Sequence, residues 1–428
     1  MHVIHLLPGT GGTFYCENCV RDAGLVRTLR AHGCDVTMVP MYLPLLGEAD
    51  NLPNAPVVFG AVNVWLQQQA SPFRHAPRWM HRLLNTPWVL RWIARNTGSV
   101  SARGQETLTV SMLEGEDGKQ ARELDQLIGW MKTVEKPDVI QLASSLQLGL
   151  VRRIKQELGV PVVCAIQDEE QWVDSMDEVW RDRVWDLIGK RAADADLLIA
   201  PSQWYADQMS ARLKLPPGRI AVVHPGVNPG QVEPGPPPGV PVLGFLSRVT
   251  PSLGLDLLYD AFLLLRQNPR WKSLRLHLTG GALPQDLAWM KKQRPRLKAA
   301  GALDAVQLFE DFSAPKRAEF MRGCTVVSVP AHAGMAFGLF MVEAMAAGRP
   351  VVLPKVGAYP EIVDSTGGGV IYEPNDAATL ARTLEEVLSN PERAAKLGAA
   401  GREAARTRFS LDHMAREMNA IYAGLGRH

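Results

Sequence analysis

The sequence is poor in cysteine and has no long apolar run, and each shortage removes a class of protein. Five cysteines in 428 residues are an odd, sparse set, which points to reduced thiols and away from a disulfide framework. Nowhere do about 18 apolar residues follow one another without interruption, so no spanning helix is expected. The opening MHVIHLLPGTGG begins a strand and a glycine loop and lacks a basic leader, which gives the expectation of a cytoplasmic protein. An excess of one charge is missing too. With 46 Lys+Arg against 44 Asp+Glu and no low-complexity tract, a general nucleic-acid binder is not expected.

One absence is local. From Asn51 to Gln105 there is no Asp or Glu, while Arg74, Arg78, Arg82, Arg91, Arg95 and Arg103 alternate with Trp79, Trp88 and Trp92. Two readings stand side by side: a contact site for an anionic acceptor or a peripheral membrane surface, or a helical insertion packed on its own domain with solvated arginines.

What is present reads as α/β. Short β-branched runs (HVIHL, DVTMVP, DVIQL, PVVCAI and DLLIAPS, then PVLGFLS, LRLHLTG, TVVSVP and RPVVLP) alternate with helical stretches, the pattern of parallel sheets covered by helices. The segment NPGQVEPGPPPGVP, from Asn228 to Pro241, continues neither a helix nor an interior strand. It divides the chain into a first domain over 1–228, a linker over 229–240 and a second domain over 241–405, with a last helix over 406–428. Each half then forms a doubly wound sheet, with ligands expected at the carboxyl ends of the strands.

Several loops carry candidate chemistry. PGTGGT, Pro8–Thr13, follows the first strand and precedes a helix whose apolar face includes Leu25, Val26 and Leu29; bare amides of Gly11 and Gly12 suit a diphosphate. Cys16 and Cys19 lie just beyond, in YCENC. Ordinary packing, a thiol role, and metal or redox chemistry all remain open for them, and no second CxxC or His pair completes a tetrahedral metal site. In the second half, CTVVSVPAHAGMAFGLFMVEAMAAGRPVVLPKVGAYPEIV reads as strand, glycine-bearing loop and helix. The amides of Gly338, Leu339 and Phe340 are expected at that helix's start, where an anion is favoured, with Glu343 in its first turn placed to accept from ribose hydroxyls.

That block, with GFLSRVTPSLGLDLLYDAF and the opening GG loop, resembles the retaining glycosyltransferases of family 4, which have the GT-B fold. The looser AADADLLIAPSQW and IAVVHPGVN fit the same order of landmarks. The resemblance implies a nucleotide-diphosphate sugar donor in the second domain, an acceptor on the first, retention of configuration and no metal. By position, it implies that Glu343 binds ribose and that Arg248 contacts the donor phosphates. It further implies that Gly12 closes on the diphosphate and that Thr279, Gly280 and Gly281 form the turn near the nucleotide. In the first half, Gln167 stands where the family often has a histidine, followed by Asp168, Glu169 and Glu170; Gln167 and Asp168 are the catalytic candidates there. The last helix is implied to return to the first domain.

Two positions depart from the family. Met335 replaces a glutamate eight residues before Glu343, and Leu253 replaces a lysine five residues after Arg248. A missing cation at a leaving diphosphate commonly costs on the order of 10²–10³ in rate, by analogy with removed oxyanion donors. Lys355 and His332 are the candidates to replace that charge. The expected function is therefore sugar transfer to an unidentified acceptor, or, alternatively, a catalytically silent relative acting as partner or scaffold.

Overall fold

A computed structural model describes residues 1–9, 14–42, 102, 104–232 and 235–426. The chain forms two compact units. Residues 1–12, 18–223 and 415–428 make the first, and residues 13–17 and 224–414 the second. The division thus falls at Val223, ahead of the Pro/Gly segment, which belongs to the second unit.

In the first unit the described strands are β1 (His2–Leu7), β2 (Asp35–Pro40), β3 (Val139–Leu142), β4 (Val162–Ala165), β5 (Leu197–Ala200) and β6 (Ile220–Val222), ordered β2-β1-β3-β4-β5-β6. All pairs are parallel, with Val3 opposite Val36 on one side and Val139 on the other. VIQL and VVCA are buried along their whole lengths, because helices cover both faces of such a sheet. One covering helix runs Glu17–Ala31 and buries Leu25, Val26 and Leu29.

The second unit holds β7 (Val242–Leu246), β8 (Arg275–Thr279), β9 (Val306–Phe309), β10 (Val326–Val327), β11 (Val351–Pro354) and β12 (Gly369–Tyr372), in the order β12-β11-β10-β7-β8-β9. After β7 the chain winds to one side of the sheet and after β10 to the other. The β7/β10 junction is therefore the topological switch point, outside whose strand ends open α/β sheets bind ligands. Buried Arg349 fastens the linker to this unit: its guanidinium donates to the carbonyls of Gly235 at 3.0 Å, Pro236 at 3.1 Å and Arg322 at 2.8 Å.

Nine of these strands are the runs singled out in the sequence. The three others, β6, β9 and β12, are all sheet edges with mostly half-exposed residues, so they carry no continuous apolar run. Gly11, Gly12 and nearly all of the basic 51–105 segment lie outside the described residues. Among the described residues, no helix is long and apolar enough to cross a membrane.

Candidate functional site

At the switch point of the second unit, β7 leads into Arg248 and β10 into the loop that ends at Gly338. Gly338 has φ 94°, and a side chain there would come within 3.0 Å of the Tyr359 ring. This left-handed residue starts the helix Leu339–Ala346. The first amides of a helix have no carbonyl partner within it and carry its partial positive charge.

Those amides are occupied. Phe14–Glu17, part of the second unit, runs across the site: Phe14 bridges Gly281 and the Tyr15 amide donates to the Gly280 carbonyl at 2.7 Å. The Tyr15 hydroxyl donates to Glu343 Oε2 at 3.0 Å, and the Leu339 amide donates to Glu17 Oε2 at 2.8 Å. Arg317, on the helix Ala314–Arg322, donates through Nε to Glu343 Oε1 at 2.9 Å and lies 5.3 Å from the centre of the Tyr15 ring.

Burial and the Glu343 and Glu17 charges push the Tyr15 phenol above its usual range. Glu17 is pushed up to about 7, mainly by burial, against the pull of the Leu339 amide and with the Glu343 charge adding to the rise. The helix end therefore holds a carboxylate whose charge the site only partly compensates.

Arg248 stands beside this segment, its guanidinium 5.9 Å from the centre of the Phe14 ring and its Nε 3.6 Å from Asp286. Gly280 and Gly281 adopt φ 115° and 75°, and a side chain on Gly280 would strike the Ser247 carbonyl at 2.3 Å. Thr279 is buried, and its hydroxyl donates to the Phe309 carbonyl at 3.0 Å. It ties β8 to β9, while the two glycines make the turn.

In the first unit, the carboxyl end of β4 carries a buried polar cluster. The Gln167 side-chain oxygen accepts from Arg21, whose guanidinium also pairs with Asp22 at 2.8 Å. Burial works to raise the Asp22 carboxyl, but Arg21 and His5 outweigh it and hold it below the usual range. Glu169 accepts from the amides of Ser145 at 2.9 Å and Gln167 at 2.7 Å. The Tyr205 hydroxyl lies 2.9 Å from Glu169 Oε2 and 2.7 Å from Glu170 Oε2. Burial, then the Asp168 charge, push Glu170 up to about 7. Asp168 occupies a left-handed φ of 55° at the start of the helix Glu169–Val173.

Comparison with known proteins now bears on this geometry. Residues 112–231 match the model of Glycosyltransferase Family 4, and residues 231–404 that of Glycosyl transferases group 1. The chain has the GT-B fold, and its two halves are similar to these two glycosyltransferase models. A D-inositol 3-phosphate glycosyltransferase of Nocardioides is 31% identical over 246 residues, 53% of each chain. That of Thermobispora bispora is 32% identical over 50% of this chain and 53% of its own. The chain thus spans about half the length of the curated relatives it matches. Among solved structures, sucrose-phosphate synthase from Thermosynechococcus elongatus superposes with a TM-score of 0.71 at 20% identity over 99% of both chains. HepE from Anabaena, solved in complex with UDP, gives 0.70 at 17% identity over 99% of this chain and 100% of its own. At such identities the likeness is one of fold.

Against that family, four expectations need correction. Glu343 is the fifth residue of its helix, just past the first turn in which it is expected, although the helix starts at Leu339 as the sequence indicates. Lys355 is paired with Glu373 at 3.0 Å and His332 with Asp256 at 2.9 Å, both at exposed positions, so each already has a carboxylate. Cys16 and Cys19 are disulfide-bonded, three residues apart where the first helix begins, while Cys34, Cys164 and Cys324 are free and buried. Reduced thiols throughout is therefore wrong for this chain. Met335 is buried, its sulfur accepting from the Tyr359 hydroxyl at 2.9 Å.

Three residues of the site were not found from sequence. Tyr15 and Glu17 lie inside YCENC, a motif read for its cysteines. Arg317 lies in an ordinary helical stretch, and only the fold brings it to Glu343.

Proposed function

We propose that the chain transfers a sugar from a nucleotide-diphosphate sugar to an acceptor hydroxyl, with retention of configuration. The observation that carries this reading is Glu343, fixed by Arg317 one turn inside a helix whose first amides face an anion, at the switch point of the second sheet. Arg317 holds Glu343 Oε1, and Oε2, which accepts from the Tyr15 hydroxyl, is the acceptor for ribose hydroxyls in this reading. The Gly338, Leu339 and Phe340 amides suit the diphosphate, and Arg248 adds a cation beside it. As negative charge grows on the departing diphosphate, preorganised amides and a guanidinium stabilise it without reorganising. HepE's complexes with UDP and with UDP-glucose make UDP the first base to try. On the first unit, Gln167 and Asp168 are the acceptor-side candidates, and the basic 51–105 segment is the candidate contact for an anionic acceptor or membrane surface.

A second reading rests on Met335 and Leu253. With a thioether bonded to Tyr359 where a carboxylate is expected, and a leucine in place of a cation, the chain binds donor without turning it over. Calorimetric titration with UDP, GDP, ADP and their sugar conjugates, followed by a donor-hydrolysis assay on any binder, tests both. Binding with turnover supports transfer, binding alone supports the silent partner, and no binding removes the donor site.

A further inference from the structure

The groups that the proposed function assigns to the donor are the groups on which Phe14–Glu17 rests. The segment bridges the Gly280–Gly281 turn, places a phenol hydroxyl on Glu343 and sets a carboxylate on the Leu339 amide. Its order of chemistry parallels that of a nucleoside diphosphate: an aromatic ring, a hydroxyl on the ribose-binding glutamate, then an anion at the helix end. Among the described residues, Glu17 Oε1 is sealed from solvent with no hydrogen-bond partner, a desolvation cost that weakens the seating of this carboxylate.

We infer that Phe14–Glu17 is an internal occupant of the donor site, which a nucleotide-sugar must displace, and that the Cys16–Cys19 disulfide holds it there. This inference rests on the donor reading of the second unit. Glu17 lies inside the small ring closed by the disulfide, so its backbone has fewer conformations to lose when seated. A thiol reductant of the dithiol class opens that ring: it delivers two electrons and two protons, the sulfur–sulfur bond breaks into two cysteine thiols, and the reductant leaves as its own disulfide. The freed segment then competes less well for the helix end. A resident occupant lowers apparent affinity by the fraction of molecules whose site is open.

Calorimetry on the full chain tests this, with UDP, GDP and ADP and their sugar conjugates as probes. The proteins are wild type without and with a dithiol, Glu17→Ala, Cys16→Ser/Cys19→Ser, and Glu343→Ala. Glu17→Ala removes the side chain that accepts from the Leu339 amide. It is expected to tighten binding of the preferred probe about tenfold. Reduction is expected to tighten wild type in the same direction and to leave the double serine variant unmoved. Equal or weaker binding by Glu17→Ala overturns the occupant, as does reduction that changes nothing in wild type. Glu343→Ala separates the two layers. If it weakens binding while Glu17→Ala has no effect, the donor site stands and the occupant falls. If it binds as wild type does, the donor assignment fails. No binding by any of the proteins overturns both.

Discussion

Both units gather buried ionisable side chains at the carboxyl ends of parallel strands, yet the two clusters are closed in different ways. In the first, Arg21 meets its neighbour Asp22 and reaches Gln167, and Glu169 accepts from the loop amides around it. The Asp22 carboxyl is held low by its partners, while Glu170 in the same cluster is pushed up to about 7. In the second, Glu343 and the Leu339 amide are met by residues 328 and 322 positions away in the chain, and the carboxylate that arrives is pushed up. Partners that lower a pKa favour the charged group where it stands, whereas a raised carboxylate is one the fold would more readily keep neutral. The contrast marks the Arg21–Asp22 pair as framework and the helix end at Leu339 as a place where one anion can be exchanged for another.

The largest expected effect breaks the framework. Arg21→Met leaves Asp22 buried without its main partner and is expected to lower stability by about 3–5 kcal/mol, read by urea unfolding. Nucleotide affinity of the folded fraction should be unchanged; a parallel loss of binding would erase the distinction between the clusters. Next, Leu253→Lys restores a cation near the diphosphate and is expected to raise donor hydrolysis by up to about 10²-fold. An unaltered rate would show that leaving-group charge is handled by Arg248 and the helix amides alone. Glu343→Ala should weaken nucleotide binding by about 1.5–3 kcal/mol, as for hydrogen bonds to a charged group, and unchanged affinity in a folded variant would remove its ribose role.

The smallest effect has a definite pH signature. Glu17 has a folded pKa of about 7 against an ordinary value of 4.5, so folding favours its protonated form. That stabilisation is full below about pH 4.5 and is lost as pH rises through 7. Glu17→Gln should therefore stabilise the protein by about 1 kcal/mol at pH 8 and by little at pH 4.5. The charged and titratable groups facing it, Glu343, Arg317 and Tyr15, are unaltered in the variant. Thermal unfolding at the two pH values checks this, and an equal shift at both would assign the effect to something other than the charge.

Much of the scaffold is legible in the sequence because interior parallel strands are buried on both faces and so read as continuous apolar runs. DVIQL and PVVCAI could hardly be anything else. The edges escape for the converse reason: IAV, VQLF and GVIY are short and largely half-exposed. Within the site, the start of a helix near Leu339 and the glycine turn at Gly280 follow from local chemistry. The Tyr15–Glu343–Arg317 arrangement does not, because its members come from three separate stretches of chain and only tertiary folding joins them. Cys16 and Cys19 draw the eye in YCENC, although the residue that touches the helix end is the glutamate between them. Lys355 and His332 show the converse, for a sequence displays these residues without the carboxylates, Glu373 and Asp256, that stand beside them.

The tether between the occupant and its site has a kinetic and quantitative meaning. A free competitor can be diluted or washed away, whereas a covalently attached one is present at an effective concentration set by the connecting chain, on the order of millimolar for a short flexible connection. Such an occupant places a floor under the apparent donor dissociation constant at every protein concentration. Donor is then retained only when its intrinsic affinity exceeds that floor, so a weak or truncated nucleotide is rejected before any contact with its sugar is tested. Four residues near the amino terminus would in this way act as a threshold, one whose height changes with the state of a single disulfide and with a single proton.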